Sequence, residues 1–432
     1  MDPAIISLIC FSIFLVLVFL NMPIGFSFAI AGFIGFVSTK GFAQAFSLIG
    51  YIPYSWASNY MLVVIPLFVL MGQFAYFSGI SGELYTVAQR WVGRLPGGIA
   101  LATQLACTGF AACTGSSLAS AATMAIVAIP EMKKHGYDPR LSTASVAVGG
   151  TLGILIPPSI IFIIYGLMTE TSIGKLFVAG ILPGMLLALS FMLLIFVMCV
   201  INPKLGPRGP SYTWKERVVA LKGVWGMMSL FILIIGGIYK GICTPTEAAA
   251  IGSFGAFLIV CLRRKLTMKM MKETVTSTVQ TTCMIMMIVI GAQIFNTFFS
   301  MTGTPTLVAN WIGGLPLSRY VILGLILALY IPLGMVMDSL PMILLTLPTF
   351  FPVVVGLGFD PILFGVLVTI MCELANISPP MGMNLFIVKG VATEVPIQTI
   401  IRGVFPFTML ILLYVVLLII FPSISLYLPS LM

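Results

Sequence analysis

Apolar runs at 5–20, 176–201 and 404–421 are long enough to cross a bilayer as helices. Reading the whole chain this way predicts ten full spans. Five lie near 3–21, 22–39, 60–78, 141–168 and 174–201, and five near 223–239, 245–262, 275–299, 360–388 and 403–421. Two further apolar segments, 97–130 and 318–352, are broken at mid-length by polar, glycine and proline residues. Non-helical backbone survives at membrane depth only inside protein or beside water, so these segments read as re-entrant hairpins. Short amphipathic stretches at 83–95 and 305–315, carrying Trp91 and Trp311, precede the hairpins and read as interfacial arms.

The pattern occurs twice. Shifted by 222 residues (245 − 23), Pro23 falls on Pro245, Ser117 on Ser339, Pro130 on Pro352 and Pro157-Pro158 on Pro379-Pro380. Gly136-Tyr137-Asp138-Pro139 falls on Gly358-Phe359-Asp360-Pro361. Shared leucines could be chance in so apolar a chain. Shared Gly, Asp, Pro and Ser at one offset are not. The chain therefore divides into repeats 1–222 and 223–432. Each holds five spans, an odd number, so the second starts on the opposite membrane face. The expected fold class is an all-α polytopic membrane protein of two inverted repeats, with ten transmembrane helices plus two re-entrant hairpins. Such repeats with interrupted helices point to a secondary transporter with a midplane site.

Composition agrees: of 432 residues, 60% are hydrophobic and only 8% charged. The net charge of +9 does not signal nucleic acid, because the basic residues sit in short loops between apolar segments. With loop 202–222 in the cytoplasm, the basic residues of 90–94, 133–140, 204–222, 263–272 and 389–402 all lie on that side. Only Lys40, Lys175, Lys240 and Arg319 lie opposite. Both termini are then expected in the periplasm. The first span lacks a basic leader and a small-residue cleavage site, and so reads as retained. The eight cysteines form no CxxC pair, and the one histidine, His135, sits in the basic loop Lys133-Lys134-His135. No HExxH and no Gly-rich phosphate loop occurs, so neither a metalloenzyme nor ATP-driven transport is expected.

Four elements carry the chemistry. Two are the hairpin tips, Thr114-Gly115-Ser116-Ser117 (followed by Ser120) and Gly334-Met335-Val336-Met337-Asp338-Ser339. Two are the broken spans, Gly149 to Ser159 and Glu373 to Asn384. A double proline removes two backbone donors and pushes the preceding residue out of helix, so each span must open there. Freed carbonyls with Ser, Thr and Asn oxygens suit Na⁺, and half-helix N-termini suit an anion. That places substrate against Thr151, Pro158, Ser159 and Asn384. Asp338 reads as a stabiliser of the second cation site or of its hairpin, with a neutral, protonated hydrogen-bonding role as the rival. Glu373 reads equally as a structural hydrogen bond or an ion contact. Glu247, at the start of a helix, reads as a cap, and Met284-Ile285-Met286-Met287 as packing.

At these residues the chain resembles the large membrane subunit of tripartite ATP-independent periplasmic (TRAP) transporters. The likeness rests on Gly150 to Ser159, Gly334 to Ser339, Thr244 to Ala250 and Ser378 to Phe386. Ser378 stands where the family often has Thr, and Ala375 where it often has Gly. The resemblance implies an elevator-type transporter with a small four-helix membrane subunit, a periplasmic substrate-binding protein and membrane lipid as partners. It implies about two Na⁺ per cycle and no organic cofactor. The cargo would be a small organic anion: a C4-dicarboxylate, sialic acid or a sulfonate. Ser116, Ser117, Gly150, Gly153 and Ile156 would build one sodium site. Gly334, Asp338, Asn376, Ser378 and Met381 would build the other. The alternative is a stand-alone sodium-coupled carboxylate transporter or exchanger.

Overall fold

A computed structural model describes residues 3–380 and 382–432; the sodium-site expectation at Met381 lies outside them. Among the described residues the chain is helical throughout, without strands. The first half runs α1 (Pro3–Phe19), α2 (Ile24–Lys40), α3 (Phe42–Ala57), α4 (Val64–Ser78), α5 (Ile80–Val92), α6 (Gly98–Thr114), α7 (Ser117–Lys134), α8 (Pro139–Leu155), α9 (Ile160–Thr169) and α10 (Ile173–Ile201). A short helix, α11 (Trp214–Ala220), lies in the polar stretch. The second half runs α12 (Trp225–Tyr239), α13 (Pro245–Leu262), α14 (Met268–Met301), α15 (Thr304–Gly313), α16 (Arg319–Gly334), α17 (Ser339–Gly356), α18 (Pro361–Ile377), α19 (Met383–Val391), α20 (Ile397–Ile420) and α21 (Ser423–Leu426).

Helix starts recur at the sequence offset: α7 and α17 begin at 117 and 339, α8 and α18 at 139 and 361. The doubled Gly-x-Asp-Pro motif has a local cause. Gly136 and Gly358 adopt left-handed φ values of 72° and 81° and turn the chain out of the preceding helix. Asp138 and Asp360 then cap the next helix, accepting backbone N–H bonds from Arg140 at 2.8 Å and Ile362 at 2.7 Å. The proline occupies the first helical position, where its missing donor is harmless.

Among the described residues seven helical segments are long and apolar enough to cross a membrane. They become eight if Trp214–Gly223 and Trp225–Tyr239, bent by 55°, form one span. The apolar helices α1, α2, α6, α16 and α18 stop at 16 or 17 residues. Burial separates centre from rim. The α8–α9 segment is 94% buried, whereas α10, α20 and α13 are 33%, 39% and 44% buried, leaving their outer faces for lipid. Small residues let the rim helices cross closely, as expected where lipid offers no hydrophobic drive between helices. A Cβ on Gly25 would lie 2.6 Å from the Met287 carbonyl oxygen, and one on Gly32 2.7 Å from the Phe295 backbone.

The structure adds to the sequence expectations in three places. Residues 42–57, assigned no element, form α3, which interrupts what is a single 34-residue helix (α14) in the second half. The polar stretch 202–222 holds α11, whose Trp214 meets Trp91 edge-on at 5.7 Å. The hairpins do not end at Pro130 and Pro352, as the sequence suggested. Both prolines lie inside their helices, which run on to Lys134 and Gly356. The residues beyond them, Met132 and Val354, are fully buried, so packing outweighs the one lost hydrogen bond.

Candidate functional site

Both hairpin tips open into one cavity of about 370 Å³. Its lining includes Thr114 to Ala119 of the first tip, Asp338 to Leu340 of the second, and Asn376 of α18. Ile154 lies in the last turn of α8 there, and Ile160 and Ile161 begin α9. The opposite wall comes from α4, with Gly72, Gln73 and Tyr76, and from α14, with Thr281, Met284, Ile285 and Ile288. The cavity thus lies on a seam between the hairpins and broken helices on one side and two rim helices on the other.

Three helices (α7, α9 and α17) begin at this cavity, and each N-terminus is built by a side-chain cap. Ser116 accepts a hydrogen bond from Ala119 N–H at 3.3 Å, Ser159 from Phe162 N–H at 3.3 Å, and Asp338 from Ser339 N–H at 2.7 Å. First-turn N–H groups and the positive end of each helix dipole therefore converge on one volume. Among the described residues no lysine, arginine or histidine lines it. Asp338 is the acidic residue in the lining.

The breaks in α8–α9 and α18–α19 fall at the double prolines. Helix α8 ends at Leu155, and Ile156 and Ser159 are extended on either side of Pro157-Pro158. Helix α18 ends at Ile377, with Ser378 extended and its hydroxyl donating back to Leu374 O at 2.7 Å. The first tip rests on the first break: a Cβ on Gly115 would lie 2.5 Å from the Pro158 carbonyl oxygen. Gly153 admits the Ser116 carbonyl oxygen, which a Cβ there would approach to 2.6 Å. Gly150 likewise meets Ala121. In the second half the glycine is on the tip, where Gly334 packs on Ala375.

Of the expected site residues, Ser116, Ser117, Asp338 and Asn376 line the cavity together. Gly150, Gly153, Ile156, Gly334 and Ser378 lie in the contacts that shape tips and breaks. Thr151 donates to Val148 O at 2.6 Å within its own helix. Pro158 backs the first tip and Ser159 caps α9. Asn384, fully buried, donates to Ser117 Oγ at 2.8 Å and to Ala147 O at 3.1 Å. Ser117 Oγ in turn donates to Glu373 Oε2 at 3.0 Å, so the first tip is tied to the second broken helix. Spacing along the chain gave no hint of this tie. Ser339, named with the second tip, also lines the cavity, whereas Gln73 and Thr281 were missed as lining residues. Gln73 had a usable signal as a polar side chain within an apolar span.

Glu247 behaves as a helix cap at the protein surface. Its Oε2 accepts from Thr244 N–H at 2.8 Å and Thr244 Oγ1 at 2.9 Å. Thr213 and Glu216 form the same capping box on α11.

The sequence profile described as "Tripartite ATP-independent periplasmic transporter, DctM component" matches residues 11–424. The chain is 36% identical to the C4-dicarboxylate TRAP transporter large permease protein DctM of Pseudomonas aeruginosa, with 87% of each chain covered. It is 32% identical to the sialic acid TRAP transporter large permease protein SiaM of Vibrio cholerae, with 96% of each covered. In fold it is similar to the YdaH transporter of Alcanivorax borkumensis, at a TM-score of 0.66 and 17% identity over 91% of this chain and 89% of that one. The chain is therefore a multi-pass membrane transport permease rather than an enzyme, and it belongs to the DctM-component family of tripartite ATP-independent periplasmic transporters.

Proposed function

We propose that this chain is the large subunit of a sodium-driven uptake system for a small organic carboxylate in a bacterial inner membrane. The observation that carries the reading is the cavity: three helix N-termini and Asp338 face it, and among the described residues no basic side chain does. Helix N-termini attract a carboxylate. Asp338 repels it until cations are present. Oxygen-rich tips supply hydroxyls and carbonyls for a hard monovalent cation, so ion and anion favour each other's binding. Asp338, Asn376, Ser378 and Gly334 are assigned to one sodium site, and Ser116, Ser117 and the α8 end at Gly150, Gly153 and Ile156 to the other. The P. aeruginosa and V. cholerae relatives are named for carboxylates, which supports the cargo class.

The arrangement is two inverted repeats of five spans and one hairpin, with both termini periplasmic. Hairpins α6–α7 and α16–α17 and broken helices α8–α9 and α18–α19 form a body that moves, elevator-fashion, against a scaffold including α4 and α14. The seam on which the cavity lies supports this division. A small four-helix membrane subunit completes the permease, and a periplasmic binding protein delivers the anion. Two Na⁺ with one monoanion move one net charge, worth about 2.3 kcal/mol per 100 mV. A tenfold sodium gradient adds about 1.4 kcal/mol per ion. Together these give about 5 kcal/mol.

Proteoliposomes holding the chain and its small subunit, with binding protein outside, test this. Uptake of succinate or sialic acid should follow an inward sodium gradient and need the binding protein. Uptake that ignores sodium would overturn the coupling. Uptake by the chain alone would favour a stand-alone carboxylate transporter.

A further inference from the structure

Behind the first tip, where neither residue lines the cavity, Glu373 and Asn384 flank the hydroxyl of Ser117. All three side chains are at least 96% buried, with exposures of 1%, 0% and 3%. Two of their atoms, Glu373 Oε1 and Asn384 Oδ1, have no hydrogen-bond partner. Both are acceptors. Each belongs to a group whose other terminal atom bonds the same Ser117 oxygen.

The donors of this cluster are spent. The Ser117 hydroxyl hydrogen goes to Glu373 Oε2, since a carboxylate can only accept. The Asn384 amide gives one hydrogen to Ser117 Oγ and the other to Ala147 O, a carbonyl, which also fixes which way the amide faces. Among the described residues no donor reaches Oε1 or Oδ1. Among the described residues the ion pairs are made by Glu394, Glu131 and Glu83, and Glu373 has no lysine, arginine or histidine partner. A buried carboxyl either takes up a proton or has its charge compensated by a cation, and orphaned acceptors are costly.

From this we infer that Glu373 Oε1 and Asn384 Oδ1 bind a monovalent cation, sodium, at a third site separate from the two tip sites. One carboxylate matches one positive charge. The ligands are hard oxygens, as an alkali cation requires. The site joins elements distant in sequence: α7 of the first hairpin, the end of α18 and the start of α19. Occupancy therefore ties the first tip to the second broken helix.

The test is equilibrium binding of ²²Na⁺, without organic substrate, to the chain purified with its membrane partner. Glu373→Gln should lose one ion from the wild-type count. Asn384→Ala should weaken one site at least tenfold. Asp338→Asn should lose a different ion, and the double variant Glu373→Gln/Asp338→Asn should lose two. A full count in Glu373→Gln while Asp338→Asn loses one would overturn this site and leave the proposed coupling intact. Wild type binding no sodium would overturn both. If Glu373→Gln fails to fold, wild-type density maps in sodium and in choline decide. Density in sodium alone, roughly 2.3–2.6 Å from Oε1 and Oδ1 as for hard cations, supports the site. Density in both salts at hydrogen-bond distance is a water and overturns it.

Discussion

The two hairpin tips occupy matching places in the repeat but are held by different means. The first tip is braced across the molecule, with Ser117 bonded to Glu373 and Asn384 of the other half. The second is braced at home: Asp338 caps its own helix, and Ser339 accepts from Asn376 Nδ2 at 2.9 Å within the same half. The close approach is also solved in opposite ways. Glycine sits on the broken helix in the first half (Gly153) and on the tip in the second (Gly334). A duplicated backbone therefore fixes where a site lies, while single residues decide what holds it. Only the second tip brings a carboxylate to the cavity, so charge is lodged on one half alone.

The largest effect should come from Ser117→Ala, which leaves Glu373 Oε2 unpartnered and removes one of the two bonds from Asn384. Each buried group left unsatisfied costs about 1–3 kcal/mol, read as lowered resistance to thermal unfolding in detergent. Next is Gly334→Ala, whose new Cβ meets Ala375. Overpacking should cost about 1–3 kcal/mol. Adding Ala375→Gly moves the glycine to the broken helix, as in the first half, and should restore most of the loss. A double variant as damaged as the sum of the singles would show that the two glycines do not solve the same problem. Ser339→Ala should cost about 0.6 kcal/mol, the usual yield of an interhelical bond in a membrane protein. A loss equal to that of Ser117→Ala would erase the contrast between the tips.

The smallest effect concerns how α2 and α13 begin. Helix α13 begins with the Thr244–Glu247 capping box, whereas its counterpart α2 begins at Pro23 without a side-chain cap. Glu247→Ala removes the box and should unfold at a slightly lower temperature than wild type, whereas Glu247→Gln, which keeps an acceptor for the Thr244 N–H and hydroxyl, should recover most of the difference. A Glu247→Gln variant as unstable as Glu247→Ala would assign the effect to the charge at the helix N-terminus instead of the box.

Sequence located the breaks because proline and glycine act locally. Pro157-Pro158 and Pro379-Pro380 ended helices at Leu155 and Ile377, and Asp138 and Asp360 started them. The polar tips were legible for the same reason, and Ser116, Ser117, Asp338 and Asn376 do meet in one cavity. What could not be read depends on distance. Ser117 finds Glu373 256 positions away and Asn384 267 positions away, and no spacing rule links them. Glu373 therefore stayed undecided between a structural bond and an ion contact. Helix α3 was hidden by aromatic and polar residues mixed around Pro53, which blur an apolar run. Pro130 and Pro352 misled because a local breaker was outweighed by buried neighbours beyond it.

The interruption between α3 and α4 has no twin in the unbroken α14. Phe42, Phe46, Tyr51 and Tyr54 stand exposed on that extra segment. The two halves therefore do not offer interchangeable outer faces, and this aromatic surface is carried by the first half.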